Sequence, residues 1–581
     1  MSSSEETKGT DSLLSRRDVR VLSTKPTADE TGHWKALTLE NKPTWVLPTP
    51  FQLYHRWDEQ GWGPGPFTTF ELTMCELSWA LRSKPDWQRK ATDPEIRSKW
   101  RQEALQQQAD AAAEGGRPFD CSVSHRSDAE LNGYAEIADN EKGIERACFD
   151  GIWYSDRLIS SDVLERLKNA VKTLEDVPED KKDWHPGSNK QVLDLVHPSL
   201  YCVVYGRTHA APPEADLPVY VPGVLVEASD FTVDSEGSVK LASSYINNLH
   251  PVLHRPMYGV IEEVLTAFVP MFERVLGDSN RKNDRVAFSN GERLEEIECI
   301  WGRDGRPYPE DEPSGDEDED EFNENFWRTV KKVIPTAKEY TGQLQARFSP
   351  VSLRGRTIQC IVKLANIHLT PEEPEYGGGS WHVEGMVNER IVASGIYYYD
   401  EENIDESMLS FRVAVGPPDY HDGRDDSACT NMLYDMDRDS ELIQDLGSVV
   451  TSVGCTLSWP NLFQHCVAPF ELADPSKRGH RKILAIFFVD PTKDRIVSTT
   501  DVSPQQTDWA SMAFEDACRE PSSVLGAMPQ ELRDLVKDNF PETVMTLKEA
   551  EDYRLKLMKE RTVFTDAHAE RYVQTFNMCE H

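Results

Sequence analysis

Between residues 67 and 276 apolar side chains recur at intervals of three and four, whereas from about 350 to 490 they come in short runs bounded by turn residues. The first rhythm is that of helices buried along one stripe, the second that of strands. FTTFELTMCELSWALRS (67–83) has helical spacing, and TDPEIRSKWRQEALQQQADAAAEGG carries Asp93 and Pro94 at a helix start and a glycine pair at its end. In SSDVLERLKNAVKTLEDVPED, Leu164, Leu167, Val171 and Leu174 form one stripe. The stretch from Tyr258 to Leu276 is also amphipathic, with Pro270 expected to kink or break it.

The runs TIQCIVKLANIHL, RIVASGIYYYD, SMLSFRVAV, SVVTSVGCTLSW and RKILAIFFVDP are rich in Val, Ile, Tyr and Phe, and their spacing predicts a sandwich or jelly-roll barrel. After Asp501 helical patterns return, with Thr546 and Glu549 placed as a capping box for TLKEAEDYRLKLMKE. The expected class is therefore α+β. It divides into a disordered tail over 1–45, a mainly helical region over 46–300, a β-domain over 327–505 and C-terminal helices over 506–581. Between Glu310 and Glu324 lie ten acids in fifteen residues, a block that repels itself and reads as part of a disordered acidic loop over 305–326.

The 581 residues are 38% hydrophobic and include 14 Trp, enough for sizeable cores, and the length calls for two or three domains or one large domain with additions. A formal charge of −37 sets the field of the whole molecule against nucleic acid and anionic membrane. Eleven cysteines without a CxxC pair, and a polar start MSSSEETKGT, point to reduced thiols in the cytosol or nucleus. No stretch approaches the roughly 18 consecutive apolar residues of a membrane span.

The chemistry concentrates in GGGSWHVEGMVNE (377–389). In an extended segment residues i and i+2 share a face, so His382 and Glu384 are able to share one cation. A His-x-acid triplet is weak evidence, because 15 His and 100 acids in 581 residues produce about two or three by composition. The other triplet, His568-Ala-Glu570, falls in a helical pattern where the side chains diverge. Downstream, SVGCTLSWPNLFQHCVAPFEL offers His465 after a Trp-Pro-Asn turn, with Cys466 facing the other way as packing. Two imidazoles and a carboxylate make a facial triad that leaves coordination positions open, and no fourth ligand of a closed structural zinc site stands out.

Arg481 opens the last apolar strand, where a planar guanidinium suits a carboxylate held through two hydrogen bonds, and Lys482 faces the opposite way. Tyr397, Tyr398 and Tyr399 alternate faces, so at least one is core. Lys363 and Asn366 are left open between lining and surface, while Trp184, His185, His197 and Tyr201 read as packing of the helical region, a lid over the barrel being the alternative.

These residues, in this order, resemble the Fe(II)/2-oxoglutarate-dependent oxygenase superfamily over roughly 350–500. The longer wording, from KLANIHLTPEEPEYGGGSWHVEGMVNE to SWPNLFQH and GHRKILAIFFVDP, resembles the fungal domain-of-unknown-function family 4246, and KDWHPGSNKQVLDLVHPSLYCVVYGRT extends that likeness leftward. The resemblance implies a double-stranded β-helix, Fe(II) held by His382, Glu384 and His465, 2-oxoglutarate gripped at its distal carboxylate by Arg481, and O₂ with an organic or protein substrate as partners. Glu384 stands where Asp is commoner, and the 16 residues from His465 to Arg481 are a longer gap than the superfamily usually shows. Two other readings stay open: a cupin-like metalloenzyme that uses the triad without 2-oxoglutarate, and a non-catalytic scaffold.

Overall fold

The computed structural model describes residues 20–21, 45–51, 64–113, 121–210, 224–280, 293–295, 300–301, 329–330, 332–347, 351–418, 427–519, 524–538, 544–572 and 575. The expected acidic loop, and the expected tail apart from Arg20, Val21 and Trp45, lie outside them.

The expected helices form and are capped as their sequences dictate. Thr68 and Glu71 exchange side-chain and backbone bonds at the start of the Thr69–Arg82 helix, and Ser160 accepts from the Val163 amide at the start of Ser161–Glu175. The Arg255–Ser279 helix runs on through Pro270. Its buried face packs on the sheet through Phe268, Phe272 and their neighbours, and this burial outweighs the backbone bond that proline removes. His568 and Glu570 lie in the Leu547–Tyr572 helix.

Twelve strands matter for the site: β1 (Glu145–Arg146), β2 (Trp153–Ser155), β3 (Val192–Val196), β4 (Ser229–Val233), β5 (Val239–Leu241), β6 (Arg356–Leu369), β7 (Ile391–Glu402), β8 (Ser407–Ala414), β9 (Ile443–Thr451), β10 (Thr456–Pro460), β11 (Gln464–Val467) and β12 (Gly479–Val489). Nine of them make one sheet in the order β1-β2-β10-β7-β12-β6-β4-β5, with β3 also on β6, and a second sheet runs β9-β8-β11. Every pairing among them is antiparallel. The class is mixed helix and antiparallel sheet, and no closed barrel is formed among the described residues.

The large sheet is buried on both faces. Cys360, Val362 and Leu364 of β6, with Tyr397 and Tyr399 of β7, pack under the Arg255–Ser279 helix. Ile396 and Tyr398 face the other way and join Leu409 and Phe411 of β8 in a core between the two sheets. All three consecutive tyrosines are therefore buried, on alternating sides.

Strands β1 to β5 fall in the region expected to be mainly helical, yet they belong to the large sheet, and β3 and β4 pair directly with β6. Strands of two to five residues carry too few alternations to be seen as a pattern. They form because longer strands offer edges to pair with: β3 and β4 on the 14-residue β6, with β5 on β4, and β2 on β10, with β1 on β2.

Candidate metal centre

His382 does not sit in a regular strand. Residues 377–386 are irregular, and His382 makes a single antiparallel bridge to His465: its amide donates to the His465 carbonyl at 3.2 Å, and the His465 amide donates back at 3.0 Å. That bridge supplies the extended geometry the spacing required. Gly378 adopts φ +84°, and a Cβ there would fall 2.8 Å from the Val467 carbonyl oxygen, so only glycine lets the loop close onto β11. The Gly379 amide donates to the same carbonyl at 2.9 Å, and Cys466 donates its thiol to the Gly379 carbonyl at 3.0 Å. Cys466 is partly exposed and ties the loop down, in addition to any packing.

Three ligand atoms converge. Glu384 Oε1 lies 3.7 Å from His382 Nε2 and 3.4 Å from His465 Nε2, and the two rings are 4.3 Å apart between centroids. Donors about 2.1 Å from one cation stand roughly 3.0–3.4 Å apart at right-angled to tetrahedral spacing, so the gap fits an ion after a small contraction. His382 Nδ1 meets the Ser380 carbonyl at 2.7 Å, which assigns the proton to Nδ1 and leaves the Nε2 lone pair facing Glu384. Trp459 closes on the His465 ring edge to face at 4.8 Å.

The electrostatics favour the ligand-ready forms of Glu384 and His465. Burial pushes the Glu384 carboxyl up, but the two imidazoles outweigh it and hold it well below the usual carboxylate range. Burial and the neighbouring His382 ring pull His465 down to about 4, so it is neutral and its lone pair is free at neutral pH. Burial lowers His382 too, but there Glu384 and the Ser380 carbonyl win and the net direction is upward.

Asn461 is the residue a sequence reading misses. It is the third member of the Trp-Pro-Asn turn, fully buried, and its side chain clamps the Glu384 backbone: Oδ1 accepts from the Glu384 amide at 2.8 Å, and Nδ2 donates to the Glu384 carbonyl at 2.9 Å and the Ile391 carbonyl at 3.0 Å. Beyond Glu384, Gly385 turns at φ +71° against Glu389, a buried carboxylate held by Arg561 of the C-terminal helix. No local signal in TLKEAEDYRLKLMKER marks Arg561 for that contact.

Arg481 is 1% exposed and points between the two sheets, donating to the hydroxyls of Ser407 on β8 and Thr451 on β9, with its guanidinium 4.1 Å above the Tyr398 ring. Its Nε has no acceptor, the nearest carboxylate oxygen being Glu401 at 4.0 Å. Lys482 faces the helices and pairs with Glu175 at 2.9 Å and Asp400 at 3.3 Å.

A second cluster unites Asp194 with His185 and His197, which the sequence reads as packing or as a lid. His185 Nδ1 lies 2.8 Å from Asp194 Oδ2, and His197 Nε2 lies 4.0 Å from the same oxygen. The Ser199 amide donates to His197 Nδ1 at 3.2 Å, which uses the single lone pair of a neutral imidazole and places its proton on Nε2. His197 therefore turns an N–H toward Asp194, only His185 is within hydrogen-bond distance of that carboxylate, and the cluster offers no set of three free lone pairs. Asn366 is fully buried and bonds Glu175 at 2.6 Å and the Tyr399 hydroxyl at 3.2 Å on the helix side, which makes it structural.

Among known families, the one described as "Protein of unknown function (DUF4246)" matches residues 126–513, and its N-terminal domain of unknown function matches residues 34–103. None of the curated proteins matches the chain. Solved structures with some likeness include an Fe(II)/(alpha)ketoglutarate-dependent dioxygenase, TqaL, at 9% identity and TM-score 0.25, covering 59% of this chain and 82% of that one. AviO1 from Streptomyces viridochromogenes Tue57 is 11% identical with TM-score 0.20 over 60% and 93% of the two chains. A bsmA homolog from Methylobium petroleophilum PM1 is 12% identical with TM-score 0.16 over 25% and 46%. At such TM-scores these likenesses carry no argument, and the functional reading rests on the site itself. Among the described residues no helix is long and apolar enough to cross a membrane.

Proposed function

Because the chain belongs to the DUF4246 family of proteins of unknown function, whose description assigns no reaction, we propose from the geometry alone that it is a non-haem iron, 2-oxoglutarate-dependent oxygenase on a jelly-roll core. The observation that carries this reading is the convergence of His382, Glu384 and His465, with ligand atoms all within 4.8 Å of one another. Two imidazoles and one carboxylate are the donor set of a facial triad with open positions. The jelly-roll part rests on strand order: β6 lies in the large sheet, the His382 segment beside β11 of the small one, β7 large, β8 and β9 small, β10 large, β11 small and β12 large.

Fe(II) bound here would supply oxygen activation and oxidation of a substrate C–H bond, with 2-oxoglutarate as the electron-supplying cosubstrate. The protein's own groups do the rest. Ser380 fixes the His382 tautomer, Asn461 locks the backbone of Glu384, and Trp459 packs the His465 ring in place. Arg481 would receive the distal carboxylate of the cosubstrate, a role supported by its unpartnered Nε and the Ser407 and Thr451 hydroxyls beside it. The surrounding core between the sheets keeps water from that grip.

Anaerobic addition of Fe(II) and 2-oxoglutarate to the purified protein is expected to give a weak visible charge-transfer band, absent in His382→Ala, and succinate on admission of air. A wild-type protein with neither band nor succinate refutes the oxygenase reading. Metal retained with oxidative activity unaffected in Arg481→Ala would instead favour the cupin-like reading.

A further inference from the structure

His185 and Asp194 form a pair that the metal centre does not use. Asp194 stands on β3 opposite Ala365 of β6, with its side chain closed off from solvent. Its Oδ2 lies 2.8 Å from His185 Nδ1, while His197 Nε2 and Arg554 stand off at 4.0 Å. Burial pushes the Asp194 carboxyl up, but the hydrogen bond from His185 and the charges around it outweigh burial and hold it below its usual range. An ionised carboxylate only accepts, so the His185 proton sits on Nδ1 and Nε2 carries the lone pair.

The backbone of His185 is equally committed. Its amide donates to the Val192 carbonyl at 2.8 Å, and its carbonyl accepts from the Ser188 amide at 3.1 Å and the Ser188 hydroxyl at 2.7 Å. The turn behind it is closed by the Gln191 amide on the Ser188 carbonyl at 2.8 Å, with Asn189 at φ +50° and Lys190 at φ +60°. Two left-handed residues in a row make a type I′ turn, which non-glycine side chains adopt at a cost. Nε2 alone is left without a partner among the described residues, and it is not sealed from solvent. The other His–Asp pair differs: Asp400, 3.0 Å from His480, is shared with Lys168 at 2.6 Å and Lys482 at 3.3 Å.

The His185 ring lines a cleft of about 300 Å³, with Pro186 and Val192 beside it and Tyr376, Gly377 and Gly378 across. The Tyr376 ring packs on Phe470 with centroids 5.1 Å apart, which gives the cleft a braced aromatic wall. No Lys, Arg, Asp or Glu is among the residues lining it, so it suits a small uncharged ring compound. Ser188 is also no free nucleophile, because its hydroxyl is spent on the His185 carbonyl. The imidazole is therefore available to a hydroxyl of the ligand itself.

We infer that this cleft is a second ligand site, for a small phenol, in which His185 Nε2 accepts the phenolic proton and Asp194 is the positioning residue. The O–H bond breaks as the N–H bond forms, Nδ1–H stays on Asp194, the phenolate is held against the imidazolium, and no electron changes hands. The inference is independent of the oxygenase reading, since none of His382, Glu384 and His465 lines the cleft.

The test uses the full chain with EDTA present, so that no metal binds the phenolate, and 4-nitrophenol in mildly acidic buffer, where the free compound is mostly neutral and colourless. Wild type is expected to raise the visible phenolate band saturably, and His185→Gln to bind at least tenfold more weakly. Asp194→Asn offers Nδ1 an N–H in place of an acceptor, which moves the ring proton to Nε2, and should lose the band. Diethyl pyrocarbonate, which acylates an imidazole at an open lone pair, should modify His185 in wild type, at least fivefold more slowly with 4-nitrophenol bound, as read by peptide mass spectrometry. Equal melting temperatures exclude misfolding, and His185→Gln carries the test should Asp194→Asn fail to fold. A wild type without saturable binding, binding that survives His185→Gln, uptake of the phenol with no visible band, or a His185 inert to the reagent overturns the site. An Asp194→Asn protein that behaves as wild type overturns the positioning role.

Discussion

Replacing Asn461 by Ala removes three hydrogen bonds from one fully buried side chain and leaves the Glu384 amide, the Glu384 carbonyl and the Ile391 carbonyl without partners. At about 1 kcal/mol net for each neutral bond, the clamp is worth about 3 kcal/mol. The whole loss falls on one segment, because two of the three bonds end on the residue that supplies the carboxylate ligand. Hydrogen-exchange mass spectrometry of peptides containing Glu384 and Ile391 should show local opening about a hundredfold more frequent, since each 1.4 kcal/mol is a factor of ten. Chelator competition should show Zn(II) affinity weakened by about 10- to 100-fold, the usual effect of removing a group that orients a ligand. Asn461→Asp keeps the acceptor for the Glu384 amide but turns a carboxylate oxygen toward two carbonyls, so it should not rescue either measurement. Exchange within threefold of wild type together with metal affinity within twofold would show that Glu384 is positioned by something else.

Gly385→Ala should abolish metal binding and lower the melting temperature, because the new Cβ would sit 2.2 Å from Glu389 Oε2 in a left-handed conformation; Gly187→Ala, at φ +80° with open space around it, isolates the milder cost of the dihedral alone. Arg561→Met strands the buried Glu389 carboxylate and should cost about 2–4 kcal/mol by urea denaturation, toward the lower end for a broken buried pair because Arg561 is partly exposed; Glu389→Gln in the same chain should recover much of it. Glu227, buried with one carboxylate oxygen unpartnered, is pushed up by burial to about 8. Its folded-state value lies above the unfolded one near 4.5, so its contribution is complete below about pH 4.5 and disappears as pH rises through 8. Glu227→Gln should therefore gain on wild type by up to about 1.4 kcal/mol per pH unit between pH 6 and 8, read as the urea midpoint; a difference independent of pH would show that Glu227 stays ionised in the fold.

The helices of the first half and the long strands β6, β7, β8 and β12 were legible because each carries a complete period of its own pattern, with caps or turns at the ends. The same holds for the pairing of His382 with Glu384, since the two are neighbours in sequence, and for the opposite facing of Arg481 and Lys482. Alternation along β12 separates those two whatever the fold around them. Their contacts bear this out: Ser407 and Thr451 for Arg481, Glu175 and Asp400 for Lys482.

What the chain by itself determined, then, is every feature whose cause lies within a few residues: helix stripes, strand alternation, the glycine loop and the local His-x-Glu spacing. Only the tertiary structure decided that strands from residues 145–241 complete the large sheet, that His382 is held extended by one bridge to a residue 83 positions away, and that Asn461 and Arg561 brace the carboxylate segment. The physical reason is that these depend on which edges pair and which faces meet. Burial and hydrogen bonding reward those contacts only once distant segments have come together, and they leave no periodicity in the local sequence.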